Sequence, residues 1–184
     1  MTEWLWQGAL VKLTAVNPET DPEQFARWWA DSEHLRLLDS LLARPKRASQ
    51  FTTDLAKWVN GDNNSLFAIR TMREAQLLGF IELEGFKWAQ GTGWLAVTIG
   101  DRKYWGSGYG SEAVRLILRY GFTELNLQRI ALTVFEYNPR AIRAYERCGF
   151  VVEGRAREFL NRAGRRWDLI YMGVLRDEWL RGHS

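Results

Sequence analysis

Apolar and polar positions alternate with different periods along this chain, and the period changes where the elements change. "ALVKLTAV" (9–16) alternates as a half-buried strand does. In "NPETDPEQFARWWADSEHLRLLDSLL" (17–42), Phe25, Trp28, Trp29, Leu35, Leu38 and Leu42 recur at helical intervals, and Pro22 with the early acids suits a helix start. "RPKRASQ" interrupts the pattern, and "FTTDLAKWVNGDNN" predicts a second, short helix ended by Gly61. "SLFAIRT", "LLGFIELEG" and "GWLAVTIG" then read as three strands whose short links favour antiparallel neighbours.

The second half is punctuated by glycine and proline. "WGSGYGSEAVRLIL" (105–118) runs into a helix on which Val114, Ile117, Leu118, Gly121, Phe122 and Leu125 form a stripe, widened by Ala113 and Leu116. "RIALTVFEYN" (129–138) is apolar on both faces, as a central strand is. In "NPRAIRAYERCGF", Asn138 is placed to cap a helix, Pro139 to occupy its first turn and Gly149 to close it. "VVEGRAREFL" and "RWDLIYMGVL" end the pattern as two strands around the turn "NRAG".

A chain of 184 residues fits a single domain spanning 1–184. Lys and Arg number 25 against 22 Asp and Glu, interspersed without a basic run, which argues against a nucleic-acid partner. "MTEWLWQGALVKLTAV" has an acid at position 3 and no long apolar core, so neither a secretory signal nor a membrane anchor is expected and the default setting is cytoplasmic. The single Cys148 excludes an internal disulfide, and with no histidine nearby it reads as a small buried residue. His34 and His183 lie far apart without metal-ligand spacing, so no metal is expected. The tryptophan groups "WLW" (4–6) and "RWW" (27–29) read as core filling or pocket wall.

Three glycines within five residues, directly ahead of a helix, point to chemistry. A helix start leaves amide N–H groups unpaired and partly positive, and glycine lets phosphate oxygens come close to them. A nucleoside-triphosphate loop would end in Gly-Lys-Ser/Thr, whereas "GSGYGSE" carries no lysine. A dinucleotide site would show Gly-x-Gly-x-x-Gly after the first strand of a βαβ unit, and both spacing and context differ here.

Residues 105–110 together with "NPRAIRAYERCGF" (138–150) resemble the acyl-CoA-binding motifs of the GNAT superfamily of N-acyltransferases. That family uses an Arg/Gln-x-x-Gly-x-Gly/Ala loop for the diphosphate of CoA. Gly108 and Gly110 match its two small positions, and Trp105 stands where arginine or glutamine is usual. The likeness covers most of residues 66–175, and "YGFTELNLQRIALTV" and "RAIRAYERCGFVVEG" resemble the branch with ribosomal-protein N-terminal and polyamine acetyltransferases. It implies an α+β fold, with a strongly twisted mixed sheet of about seven strands flanked by helices. A V between the fourth and fifth strands would hold pantetheine. It further implies acetyl-CoA as cosubstrate and a cofactor site made of Thr98, Ile99, Trp105, Gly106, Ser107, Gly108, Tyr109, Gly110, Ser111 and Asn138.

By the same resemblance Tyr145 is the general acid for the departing thiolate, although Ala141, Ile142 and Tyr145 also form a helical stripe that a core position would satisfy. Ser111 and Asn138 can each serve as helix caps as well as ligand contacts. No base is assigned: Glu82 and Glu84 share one face of "FIELE", where a solvated strand face is the simpler reading, and Glu136 or a water chain are the other candidates. Glu19, Asp21, Glu23, Asp31, Glu33 and Asp39 read chiefly as a wet helix face that could attract a cationic acceptor. The expectation is an N-acetyltransferase acting on a primary amine (protein N-terminus, polyamine or other small molecule), as monomer or homodimer. The alternatives are a CoA-binding sensor without activity and, as a different class, a dinucleotide-dependent oxidoreductase.

Overall fold

A computed structural model describes residues 5–182; Trp4 and His183 lie outside the described residues. Seven strands and six helices follow in the order β1 (Val11–Thr14), α1 (Pro22–Trp29), α2 (Ser32–Leu38), α3 (Ala48–Val59), β2 (Asn64–Thr71), β3 (Leu77–Lys87), β4 (Thr92–Ile99), α4 (Tyr109–Thr123), β5 (Arg129–Phe135), α5 (Pro139–Glu146), β6 (Val151–Arg162), β7 (Arg165–Leu175) and α6 (Arg176–Arg181). They build one mixed sheet in the order β1-β2-β3-β4-β5-β7-β6. Every neighbouring pair is antiparallel except β4 and β5.

The alternation along β2 and β3 sends side chains to two separate apolar clusters. Ile69 and Ile81 join Leu13, Ile117, Phe122 and Leu132 on the face covered by α4. Ala68 and Phe80, directly paired across the two strands, join Phe25, Trp28, Phe51 and Leu55 under α1 and α3. Burying each large side chain contributes about 1.5–3 kcal/mol, so each face holds its own helices in place. Trp28 is thus core filling, as the tryptophan-rich sequence suggests.

Two expected helices change their bounds and one further helix is present. The long early helix is two, because Asp31 takes an extended conformation (φ −90°, ψ 105°) and its carboxylate accepts from the amides of Glu33 and His34, capping a new helix. The stripe survives that break, but it stops at Leu38, and Leu42 is 71% exposed instead of packed. α3 begins inside "RPKRASQ", where the Gln50 side chain accepts from the Arg47 amide at 2.9 Å. α6, which periodicity did not reveal, starts where Glu178 accepts from the Leu175 amide at 3.0 Å.

The sheet opens at its centre. β4 and β5 pair only through Thr92, Gly93 and Trp94 with Arg129, Ile130 and Ala131. Beyond that point Leu95–Ile99 pairs with β3 alone and Leu132–Phe135 with β7 alone. The two strand ends diverge, and the V expected between the fourth and fifth strands is present.

Candidate functional site

The chain leaves β4 through a crowded turn. An added Cβ at Gly100 would stand 1.9 Å from the Trp28 ring, so only glycine fits there. Gly106 (φ 78°) and Gly108 (φ 91°) are in the left-handed region, and Gly108 caps α4. The first intrahelical bond of α4 runs from the Glu112 amide to the Gly108 carbonyl at 3.0 Å. The amides of Tyr109, Gly110 and Ser111 therefore have no helical acceptor. Glu112, an acid in that same first turn, is turned aside: its carboxylate accepts from the amides of Ala9, Leu10 and Val11 at 3.0, 2.7 and 2.7 Å. The positive end of the helix is left to whatever enters the V.

A cleft of about 890 Å³ fills the V. Thr98, Ile99, Trp105, Gly106, Ser107, Gly108, Gly110, Ser111, Asn138 and Tyr145 all line it. Tyr109 does not: its ring stands edge-on to Tyr104 with centroids 5.6 Å apart. The Ile99 carbonyl is already taken by the Trp105 indole N–H at 2.7 Å. Asn138 accepts from the Ala141 amide at 3.2 Å, so it caps α5 while lining the cleft.

Tyr145 is half-buried against Phe150, and its hydroxyl has no hydrogen-bond partner among the described residues. Burial, with Cys148 adding to it, pushes its pKa up to about 12, so the phenol keeps its proton at neutral pH. Cys148 is buried behind it, with its thiol raised by burial and its sulfur 3.5 Å from the Ser111 carbonyl.

The opposite half of the cleft is aromatic and acidic, with Trp29, Trp58, Phe80 and Trp94 as walls. Glu82 departs from the expected solvated face: it is only 4% exposed, because α3 covers that side of β3. Its carboxylate accepts from Trp58 Nε1 at 2.6 Å. Burial, reinforced by Glu84, raises its pKa to about 7. Glu84 lines the cleft and is exposed. Glu136 does not line it; it faces Arg155 at 3.6 Å and the Asp168 amide at 3.3 Å.

Of the early acids only Asp39 lines the cleft. Asp21 holds Arg70 at 2.8 Å, Glu23 lies 3.9 Å from Arg27, and Asp31 and Glu33 both pair with Arg102. Most of the acidic pattern is therefore structural ion pairing.

Sequence reasoning missed His34, Arg115, Arg140 and Arg147, all of which line the cleft. His34 is 2% exposed, and burial lowers its pKa to about 4, so the imidazole is neutral. It stands edge-on to Trp29 with centroids 5.6 Å apart. Arg140 sits inside the "NPRA" motif, yet an arginine in the first turn of a helix has the same pattern whether it meets solvent or ligand.

A family model described as an acetyltransferase (GNAT) domain matches residues 11–151. The SPbeta prophage-derived uncharacterized N-acetyltransferase YokL of Bacillus subtilis is 29% identical over 179 residues, covering 97% of either chain. Spermidine N(1)-acetyltransferase of Vibrio cholerae is 34% identical over 109 residues, 58% of this chain and 61% of that protein. The crystal structure of spermidine N-acetyltransferase from Vibrio cholerae, in complex with CoA and spermine, has the same fold with a TM-score of 0.83. It is 23% identical, and the match covers 94% of this chain and 99% of that one.

Proposed function

The chain belongs to the GNAT acetyltransferase family, and from that footing we propose that it moves an acetyl group from acetyl-CoA to a small cationic amine by direct attack in a ternary complex. The observation that carries this reading is that Gly110 and Ser111 at the start of α4, the protonated Tyr145 and the buried Glu82 all line one cleft. The diphosphate would be held by the amides of Tyr109, Gly110 and Ser111. Arg115 and Arg147, exposed on the same side, supply positive charge for the remaining phosphate.

The acceptor half suits an ammonium group. Asp39, Glu82 and Glu84 supply charge, and the tryptophan walls supply ring faces that attract cations. Glu82, at about 7, is half ionised near neutrality and takes the first proton of the ammonium, directly or through water. The amine then attacks the thioester carbonyl, forming the C–N bond as the C–S bond breaks. Tyr145 gives its proton to the departing sulfur, whose thiol form has a pKa of about 8.5. The proton that the nitrogen sheds on becoming an amide returns to the phenolate, and the count balances.

The test is release of free thiol from acetyl-CoA across a panel of diamines, polyamines, amino acids and N-terminal peptides. Turnover with one or more cationic small amines is expected. Tight CoA binding with no turnover on any amine would leave a sensor in place of an enzyme.

A further inference from the structure

Three arginines line the cleft, and of these Arg140 alone is half-buried, Arg115 and Arg147 being exposed. Arg140 is the second residue of α5, after the cap Asn138 and Pro139. Its Cζ lies 4.0 Å over the ring of Trp105, which is pinned to β4 by its bond to the Ile99 carbonyl. Arg102 approaches the same ring, at 5.8 Å, but it is paired with both Asp31 and Glu33. Arg140 has no ion pair and no hydrogen bond among the described residues, although it is half-buried. Desolvation lowers its pKa, and only the more distant field of Glu33 opposes this.

A guanidinium laid flat on an indole keeps its N–H donors in one plane and at its edges, ready for two oxygens at once. Half-burying that cation without a counter-ion is unfavourable, and an arriving oxyanion relieves the cost with charge-assisted hydrogen bonds. Trp105 occupies the position where the resembled motif carries arginine or glutamine, so the cationic fork missing from position 105 is found on the residue stacked against it. We propose that Arg140, held in place by Trp105, is the receptor for an anionic oxygen group of a bound substrate. Two sources share that chemistry: the diphosphate of the cofactor, or a carboxylate on the acceptor.

The proposal rests on the acetyl-transfer reading, and the experiment separates the two. CoA affinity is measured by calorimetry for the wild type, Arg140→Met and Arg140→Lys, with circular dichroism to confirm the fold. Transfer is followed with acetyl-CoA and with the phosphate-free donor S-acetylpantetheine, onto amines matched with and without a carboxylate. If the cofactor is the source, Arg140→Met weakens CoA by roughly ten- to a hundredfold, the loss of a charge-assisted contact, and leaves the reaction with S-acetylpantetheine unchanged. If the acceptor is the source, CoA affinity holds, and the preference for the carboxylate-bearing amine falls by a similar factor. Arg140→Lys recovers part of either loss. An Arg140→Met enzyme within about twofold of wild type on all these measures overturns the proposal alone. A wild type that neither binds CoA nor releases thiol overturns the acetyl-transfer reading and this proposal with it.

Discussion

The two halves of the cleft are made of different materials. The half proposed to hold the cofactor is largely backbone: two left-handed glycines and the unpaired amides of a helix start, from a segment only seven residues long. The half proposed for the acceptor is side chains: Trp29 and His34 from the early helices, Trp58 from α3, Glu82 from β3 and Trp94 from β4. Backbone recognition depends on local conformation and tolerates most sequence around it. Side-chain recognition depends on distant residues meeting, so it can change with the acceptor while the other half stays as it is.

That contrast predicts separable defects. The largest belongs to the side chain nearest the reacting sulfur in the proposed scheme: Tyr145→Phe lowers kcat by roughly a hundred- to ten-thousandfold while CoA affinity, measured by calorimetry, stays within about twofold. An unchanged kcat would remove Tyr145 from the reaction. Next comes the backbone half. Gly108→Glu forces a side chain onto a φ of 91° and brings negative charge to the helix end, so CoA affinity falls by about a hundredfold or more. Retained affinity would place the phosphates elsewhere.

The last effect leaves transfer and cofactor binding aside: it is on stability, changes gradually with pH and isolates the other half of the cleft. Glu82 titrates at about 7 in the folded protein against an ordinary 4.5, so the folded state binds the extra proton between those values. Its contribution is fully present below about 4.5 and is lost as pH rises through about 7. Glu82→Gln, which does not titrate, therefore gains on wild type by about 1.4 kcal/mol per pH unit across that window in denaturant unfolding. A constant difference would show that the carboxyl is ionised throughout. His34 acts in the opposite sense, since its pKa falls from 6.5 to about 4 and its contribution is lost as pH drops through that range. Wild-type stability is consequently flatter with pH than either group alone would make it.

The same contrast explains what the sequence disclosed. The strand meander, the glycine loop and Asn138 followed from local signals: alternation, glycine spacing and a cap ahead of proline; the V came only with the resemblance to the GNAT superfamily. Glu82 did not, because "FIELE" has the same pattern whether α3 covers that face or water does. The break at Asp31 was hidden for a related reason: Leu38 of α2 packs against the same apolar cluster as Phe25 and Trp28 of α1, so the stripe continues across the cap. Arg140 and His34 needed the fold itself, since what marks them is the missing partner and not the residue type.

Glu112 has a consequence for the order of events during synthesis. One carboxylate gathers the three amides just ahead of and at the start of β1, across separations of 101 to 103 residues. β1 thus emerges from the ribosome long before Glu112, the group that ties down its leading end. Pairing with β2 can come earlier, but the clamp on its leading end closes only after the middle of the chain has been translated and α4 has begun to coil.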